Sequence, residues 1–173
     1  VIHRRQRQMC IRDRYKANRG DPPEDLIPQF ELIRKAVDAF SVSRLEMPGY
    51  EADDLIATYS KFFTKIGWDI SIISSDKDLM QLVGDKVHML DPIKNKLIKR
   101  QEVIEKFGVP PEKVIDVQSL AGDSIDNIPG APGIGLKTGA LLVNEYGSLE
   151  SLLLNYSKIK QSIFTGETYL KQL

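Results

Sequence analysis

Three short acidic clusters carry the chain's clearest chemistry: Glu51-Ala52-Asp53-Asp54, Asp76-Lys77-Asp78 and Asp123-Ser124-Ile125-Asp126. Each falls where an element is expected to begin or end, so their seven carboxylates stand at turns that a fold can gather. Oxygen ligands with no His or Cys beside them suit a hard cation such as Mg²⁺ or Mn²⁺, because Zn²⁺ usually takes imidazole or thiolate. Such ions serve phosphate chemistry, in which paired metals about 4 Å apart are held by several carboxylates. Each cluster also has a plain explanation. Acids at a helix start are favoured by the dipole and by capping, and Asp and Asn in a loop are turn formers. Three clusters need that explanation three times over, and the coincidence favours metal.

Two further groups of residues give such ions a substrate. The loop Gly130-Ala131-Pro132-Gly133-Ile134-Gly135-Leu136-Lys137-Thr138-Gly139 leads into a helix. Backbone amides and a helix N-terminus there can face a phosphate, and Lys137 adds charge. The spacing is not that of a Walker loop, since Leu136 intervenes between Gly135 and Lys137-Thr138. Its grip is therefore expected on a nucleic-acid backbone, without reading bases. Tyr15, Lys16 and Arg19 offer an aromatic face and cations to a single-stranded end, although a solvated basic turn has the same composition.

The elements that position these residues follow from periodicity. Acids and prolines at 21–25 open a helix expected over 23–40, and Val42 to Met47 alternates as a short strand. Pro48-Gly49 turns the chain into a helix over 51–66, with Leu55, Ile56, Tyr59, Phe62 and Phe63 on its buried side. The apolar run Ile70 to Ser74 reads as a buried parallel strand, placing Asp76 and Asp78 at a carboxyl edge, where α/β sheets bind ligands. A short helix over 77–83 follows, with Asp78 a candidate cap. A hairpin is expected from Val87-His88-Met89-Leu90 and Lys96-Leu97-Ile98. Beyond Arg100 the pattern is helical: 102–107 ended by Gly108, 111–121 opened by proline, 137–146 ended by Gly147, then 149–154. The alternation predicts an α/β fold, a mostly parallel sheet in three layers with a C-terminal helical appendage.

The bulk composition sets bounds. The chain has 173 residues, 42% hydrophobic and 28% charged, with zero formal net charge. Attraction to nucleic acid must then come from local clustering, and Arg4, Arg5, Arg7, Arg12, Arg14, Lys16 and Arg19 do crowd the start. A single cysteine, Cys10, excludes an intrachain disulfide, and cytoplasm is the expected location. No run of about 18 apolar residues offers a membrane span. Residues 1–14 differ in composition from the rest and read as an atypical basic leader, disordered or foreign.

With these motifs in view, the chain resembles the flap endonuclease family, in particular the 5′-nuclease (5′-3′ exonuclease) domain of bacterial DNA polymerase I. The resemblance runs from about Tyr15 to at least Tyr156, through Tyr15-Lys16-Ala17-Asn18-Arg19, Gly49-Tyr50-Glu51-Ala52-Asp53-Asp54, Ser75-Asp76-Lys77-Asp78, Gly122 to Gly130 and Gly133 to Thr138. It implies a structure-specific nuclease that cuts DNA or RNA-primer phosphodiesters at flaps, nicks or junctions in replication and repair. Glu51, Asp53, Asp54, Asp76, Asp78, Asp123 and Asp126 would be metal ligands. Lys16 and Arg19 would belong to an arch over the scissile region. Tyr15, Gly130, Gly133, Gly135, Lys137 and Thr138 would bind DNA, the last five in a helix-three-turn-helix over about 115–146 that often holds K⁺. The implied organisation is a nuclease core over 15–100, with its arch at 15–40, and a helical region over 101–173. Relative to the family, the first strands and two further acids are expected to be missing, the C-terminal helices to be cut, and a polymerase to follow on the parent chain. Weakened or absent catalysis is expected for that reason, and a non-catalytic duplex-binding fragment is the alternative. Gly139 stands where the family pattern leads one to expect Ala, on a helix expected to lie close to DNA.

Overall fold

The computed structural model describes residues 15–17 and 20–156. The expectations for 1–14, for Arg19 and for 157–173 lie outside the described residues. The chain divides into two compact units: residues 1–62 with 123–128, and 63–122 with 129–173.

In the first unit, helix α1 spans Gln29–Ala39 and α2 begins at Ala52, running to Lys65. The helix expected from residue 23 starts later, after a series of turns in which Leu26 donates to the Pro23 carbonyl and Gln29 to that of Leu26. Pro28 is the cause. Proline disfavours helical geometry in the residue before it and has no N–H to bond backwards, so regular helix begins only beyond it. The strand expected over Val42 to Met47 is absent. Val42, Leu45 and Met47 are more than half exposed, and Arg44 instead links Asp38 at 3.3 Å and Glu46 at 2.5 Å. Alternation alone does not make a strand without a neighbour to pair with and a surface to cover. The following turn is as expected: Tyr50 donates to the Met47 carbonyl, and Gly49 has φ +85°, which only glycine adopts freely.

Helix α2 buries less than its pattern predicts. Leu55, Ile56 and Phe63 are half-buried, but Tyr59 and Phe62 are exposed and Ser60 is the buried residue. The helix stops at a Schellman-type end, where Trp68 donates to the Phe63 carbonyl across Gly67 at φ +101°. The Phe63 and Trp68 rings meet at 5.2 Å.

Every buried apolar side chain among the described residues belongs to the second unit. Strand β1, Ile70–Ile73, runs parallel to β2, Val87–Asp91, and β2 is antiparallel to β3, Lys96–Ile98. Register sets Ile72, Met89 and Ile98 side by side, all buried. Ile73 and Leu97, on the opposite face, are 60% and 43% exposed. The expectation that β1 is buried on both faces is therefore corrected: a run of β-branched residues fits one-sided burial equally well, and the period of two decides. A 3₁₀ helix, Lys77–Leu82, joins β1 to β2.

The helical part follows the sequence closely. Helix α3, Arg100–Phe107, ends in Gly108 at φ +72°. A 3₁₀ turn, Pro111–Lys113, opens α4, Val114–Ala121. Helix α5, Leu136–Tyr146, packs on α4, and α6, Leu149–Leu154, packs on α5. Val103, Val109, Val114, Val117 and Val143 are fully buried among them. No described helix is long and apolar enough to cross a membrane.

Candidate functional site

Lys16 is held from three sides within the first unit. Its backbone has φ +57°, unusual for a residue with a side chain, and its amide donates to the Asp126 carbonyl at 3.0 Å. Its ammonium lies 2.6 Å from Glu51 Oε2 and 4.7 Å from the centre of the Tyr15 ring. Burial pulls the Lys16 pKa down, but the hydrogen bonds to Glu51 and Tyr15 and the Glu51 charge outweigh it and hold it well above the ordinary lysine value. Three of the sequence motifs, Tyr15-Lys16, Glu51 and Asp126, thus meet in this unit. A permanent cation tied to one carboxylate can exchange that partner for a phosphate oxygen.

The acids also do local structural work, as capping and turn chemistry predict. Asp54 Oδ2 accepts from the Glu51 amide at 3.1 Å, and the Thr58 hydroxyl donates to the Asp54 carbonyl at 2.7 Å. Asp53 stands beside Asp54 in the first turn of α2. Asp123 Oδ1 accepts from the amides of Ile125 at 2.9 Å and Asp126 at 3.4 Å, making an Asx turn. The carbonyl of Asp126 is the one that Lys16 reaches.

In the second unit, Asp76 and Asp78 follow the carboxyl end of β1 as expected. Ser74 Oγ accepts from the Asp76 amide, and Asp76 Oδ1 accepts from the Asp78 amide, each at 3.0 Å. The cap of the short helix is therefore Asp76, not Asp78. Asp78 is bound elsewhere: Gln118 on α4 donates its side-chain amide to Asp78 Oδ1 at 2.5 Å. Sequence reasoning missed Gln118. Forty residues separate it from Asp78, and no local pattern signals a pairing at that range.

The donor chemistry fits a hard divalent cation, because all seven side chains present carboxylate oxygen. A carboxylate has two oxygens and roughly four lone-pair sites, so a cap made through one oxygen is compatible with ligation. Among the described residues, however, no three Asp, Glu, His or Cys side chains come close enough to hold an ion.

The glycine loop divides into two kinds of position. A side chain at Gly130 would place its Cβ 2.3 Å from the Ala121 carbonyl group, and the next residue, Ala131, donates to the Leu120 carbonyl at 2.7 Å. Gly130 is thus required by internal packing on α4. Gly133, at φ +78°, and Gly135, which caps α5, have open space around them. Lys137 is exposed in the first turn of α5, with Thr138 half-buried beside it. Gly139 faces inward and is buried against Val117 and Leu120 of α4.

Comparison with known proteins shows the family of the chain. Residues 3–108 match the model for the 5′-3′ exonuclease N-terminal resolvase-like domain, and residues 109–171 match that for the 5′-3′ exonuclease C-terminal SAM fold. The first match begins inside the basic leader. The chain belongs to the 5′-3′ exonuclease family. It is 58% identical over 149 residues to DNA polymerase I of Rhizobium leguminosarum, covering 86% of this chain but 15% of that protein. It is 40% identical over 147 residues to the 5′-3′ exonuclease of Aquifex aeolicus, covering 85% of this chain and 51% of that one. The T5 D15 protein crystallised with metal ions shares the fold at a TM-score of 0.74 and 26% identity, over 84% of this chain and 59% of the other. The T5 D15 flap endonuclease in a complex with DNA and metal ions gives 0.73, also at 26% identity, over 84% and 57%. The chain therefore spans only a small part of its polymerase relatives and about half of the shorter nucleases.

Proposed function

We propose that this chain is the nuclease part of a structure-specific 5′-3′ exonuclease and flap endonuclease, hydrolysing phosphodiester bonds at junctions of single- and double-stranded DNA. The observation that carries the reading is the meeting of Lys16 with Glu51 and Asp126 in one unit, in a chain whose family and structural neighbours are 5′ nucleases. RNA primers, nicks and flaps are all within the chemistry, since a phosphodiester is common to them. The parent protein carries a polymerase on the same chain, as the DNA polymerase I relatives suggest.

Glu51, Asp53, Asp54 and Asp76 would form the inner ligand set, with Asp78, Asp123 and Asp126 nearer a second ion or reached through water. Two Mg²⁺ or Mn²⁺ ions, when bound, supply activation of water and charge stabilisation at the leaving oxygen. The chain's own residues do the rest. Lys16 offsets negative charge on the scissile phosphate, and Arg19 adds a second cation. Tyr15 offers its ring to an unpaired base. Gly133, Gly135, Lys137 and Thr138 hold the duplex backbone through amides and charge, with Gly130 fixing the loop that presents them, and K⁺ is an added ligand there.

A second reading is favoured by one observation: the absence of any converging acid triad among the described residues. On that reading the chain binds duplex without cutting it. Cleavage of a flap substrate in a divalent-metal titration separates the two, and single alanine changes at the seven acids identify the ligands. Unequal losses, largest at the inner four, are expected; equal losses at all seven would oppose the division into two ligand sets.

A further inference from the structure

Strand β1 leads through Asp76 into the 3₁₀ helix Lys77–Leu82, whose Leu79 and Met80 are buried in the core of the second unit. That burial fixes the backbone of Asp78, the residue just before them. Its amide donates to Asp76 Oδ1 at 3.0 Å, and its carbonyl accepts from the side-chain amide of Gln81 at 2.7 Å. The side chain is another matter, because the terminal torsion of an aspartate is broad and lets the carboxylate plane turn on a fixed backbone. A second contact must set it. Gln118 supplies that contact from α4, donating its side-chain amide to Asp78 Oδ1 at 2.5 Å across 40 residues of chain. Helix α4 packs on the 3₁₀ helix, and Val117, next to Gln118, is fully buried. Donor and acceptor thus stand on two elements pinned by one core.

The kind of donor decides what the contact can do, and three other carboxylates of this unit show the alternatives. Glu112 accepts from both terminal guanidinium nitrogens of Arg100, at 2.9 and 2.7 Å. Asp91 is buried under the amides of Ile93 and Lys94, and Glu102 accepts from the Lys99 amide to cap α3. A guanidinium occupies both oxygens and cancels the charge, and a buried carboxylate is out of reach. Gln118 does neither. Its neutral amide takes up one lone pair of Oδ1 and leaves Oδ2, with the full negative charge, open to a cation. Asp78 is half-buried, so that oxygen is reachable. Carboxylates that ligate metals are themselves oriented by hydrogen bonds from an outer partner, and one held oxygen beside one open oxygen is that arrangement.

We propose that Gln118 is a positioning residue for metal binding, which fixes the plane of the Asp78 carboxylate and keeps Oδ2 open for the second divalent ion. The inference rests on the reading of the chain as a metal-dependent nuclease with Asp78 among its ligands, and adds to it a residue that carries no charge. The test is a Mn²⁺ titration of the full chain without nucleic acid, with free Mn²⁺ followed by its EPR signal and thermal melts run in EDTA. It compares wild type, Gln118→Met, Gln118→Leu, Asp78→Asn and the pair Gln118→Met with Asp78→Asn. Met and Leu keep the bulk and are good helix formers, so α4 is retained while the donor is lost. Both Gln118 variants are expected to weaken, by about tenfold or more, the same Mn²⁺ binding event that Asp78→Asn weakens. The other Mn²⁺ affinity should stay unchanged, and the melting temperature should fall by no more than about 4 °C, the worth of one hydrogen bond. With Asp78→Asn already present, Gln118→Met should add nothing, because a residue that acts through a carboxylate has no effect once the carboxylate is gone. Equal losses in both backgrounds, or wild-type Mn²⁺ affinity in both Gln118 variants, overturn the positioning role and leave the nuclease reading standing. Wild-type affinity in Asp78→Asn overturns Asp78 as a ligand and the proposal with it, and absence of Mn²⁺ binding by wild type overturns the metal-dependent reading as well.

Discussion

At the scale of single residues, Gly130 and Gly139 make a contrasting pair. A methyl group at 130 meets the Ala121 carbonyl at 2.3 Å, which backbone must move to accommodate. Gly130→Ala is therefore expected to cost about 1–3 kcal/mol or more, in the range of overpacked cores. At 139 the nearest atom is the Val117 carbonyl oxygen at 3.4 Å, an ordinary contact. Gly139→Ala is expected to leave stability unchanged or raise it by up to about 1 kcal/mol, because alanine is the better helix former. Denaturant midpoints of the two variants check both. The same scale shows what a single sequence can reveal. Glycine at a sharp turn is legible, and the loop's glycines were singled out from spacing; that one of them serves packing and others stand open depends on α4, which the loop's own residues do not encode.

The Lys16 cation belongs to this scale as well. Its pKa is raised in the folded chain, so the stabilisation from its pairing is fully present below the ordinary lysine pKa of about 10.4 and is lost only as pH rises through the raised value. Neutral-pH function thus sees Lys16 always charged. Glu51→Gln removes the main partner and should move the Lys16 titration, followed by NMR of the lysine side chain, back towards the ordinary value. A midpoint unchanged by Glu51→Gln would mean that the 2.6 Å pair is not what sets it.

At the scale of elements, the hairpin of β2 and β3 depends on Asp91. Its buried carboxylate gathers the amides of the turn, and the Lys94 amide is the main influence that holds its pKa below the usual carboxylate range; burial opposes this, while the Ile93 amide and the Lys94 charge add to it. Because the folded pKa is depressed, the contribution is present above the unfolded value near pH 4 and is lost as pH falls through the folded one. Asp91→Ala should lower the melting temperature at pH 7 and should flatten the loss of stability below pH 4 relative to wild type. A thermal melt series from pH 2.5 to 7 checks it.

The elements that the sequence predicted well are those with local punctuation. Gly108, Gly147 and Pro111 mark boundaries by backbone chemistry, and α3 to α6 fall where those marks put them, as the hairpin falls on its two apolar runs. The failures have equally physical causes. Periodicity carried the first helix across Pro28, where the missing N–H stops it, and alternation suggested a strand at 42–47 that has no paired neighbour among the described residues. Asp76 and Asp78 were placed correctly after β1, but the Gln118 contact to Asp78 is tertiary and could only appear with the fold.

At the scale of the molecule, the apolar core lies in one unit while Lys16, Glu51, Asp53, Asp54, Asp123 and Asp126 lie in the other. Most of the candidate chemistry thus lies where no apolar side chain is buried among the described residues. The acid clusters stand out in the sequence because oxygen-only donors recur at three turns. Their arrangement was not legible, because ligand convergence is set by elements far apart in the chain.

The central claim is that these acids and Lys16 cut a phosphodiester with divalent metal. It is tested most directly by incubating the purified full chain with a 5′-labelled flap duplex, in Mg²⁺, in Mn²⁺ and in EDTA, beside Asp76→Ala and Asp123→Ala. The account predicts junction-specific cleavage in either metal, none in EDTA, and losses of at least about tenfold in each variant. A chain that binds the flap duplex but leaves it uncut in every divalent metal would contradict it.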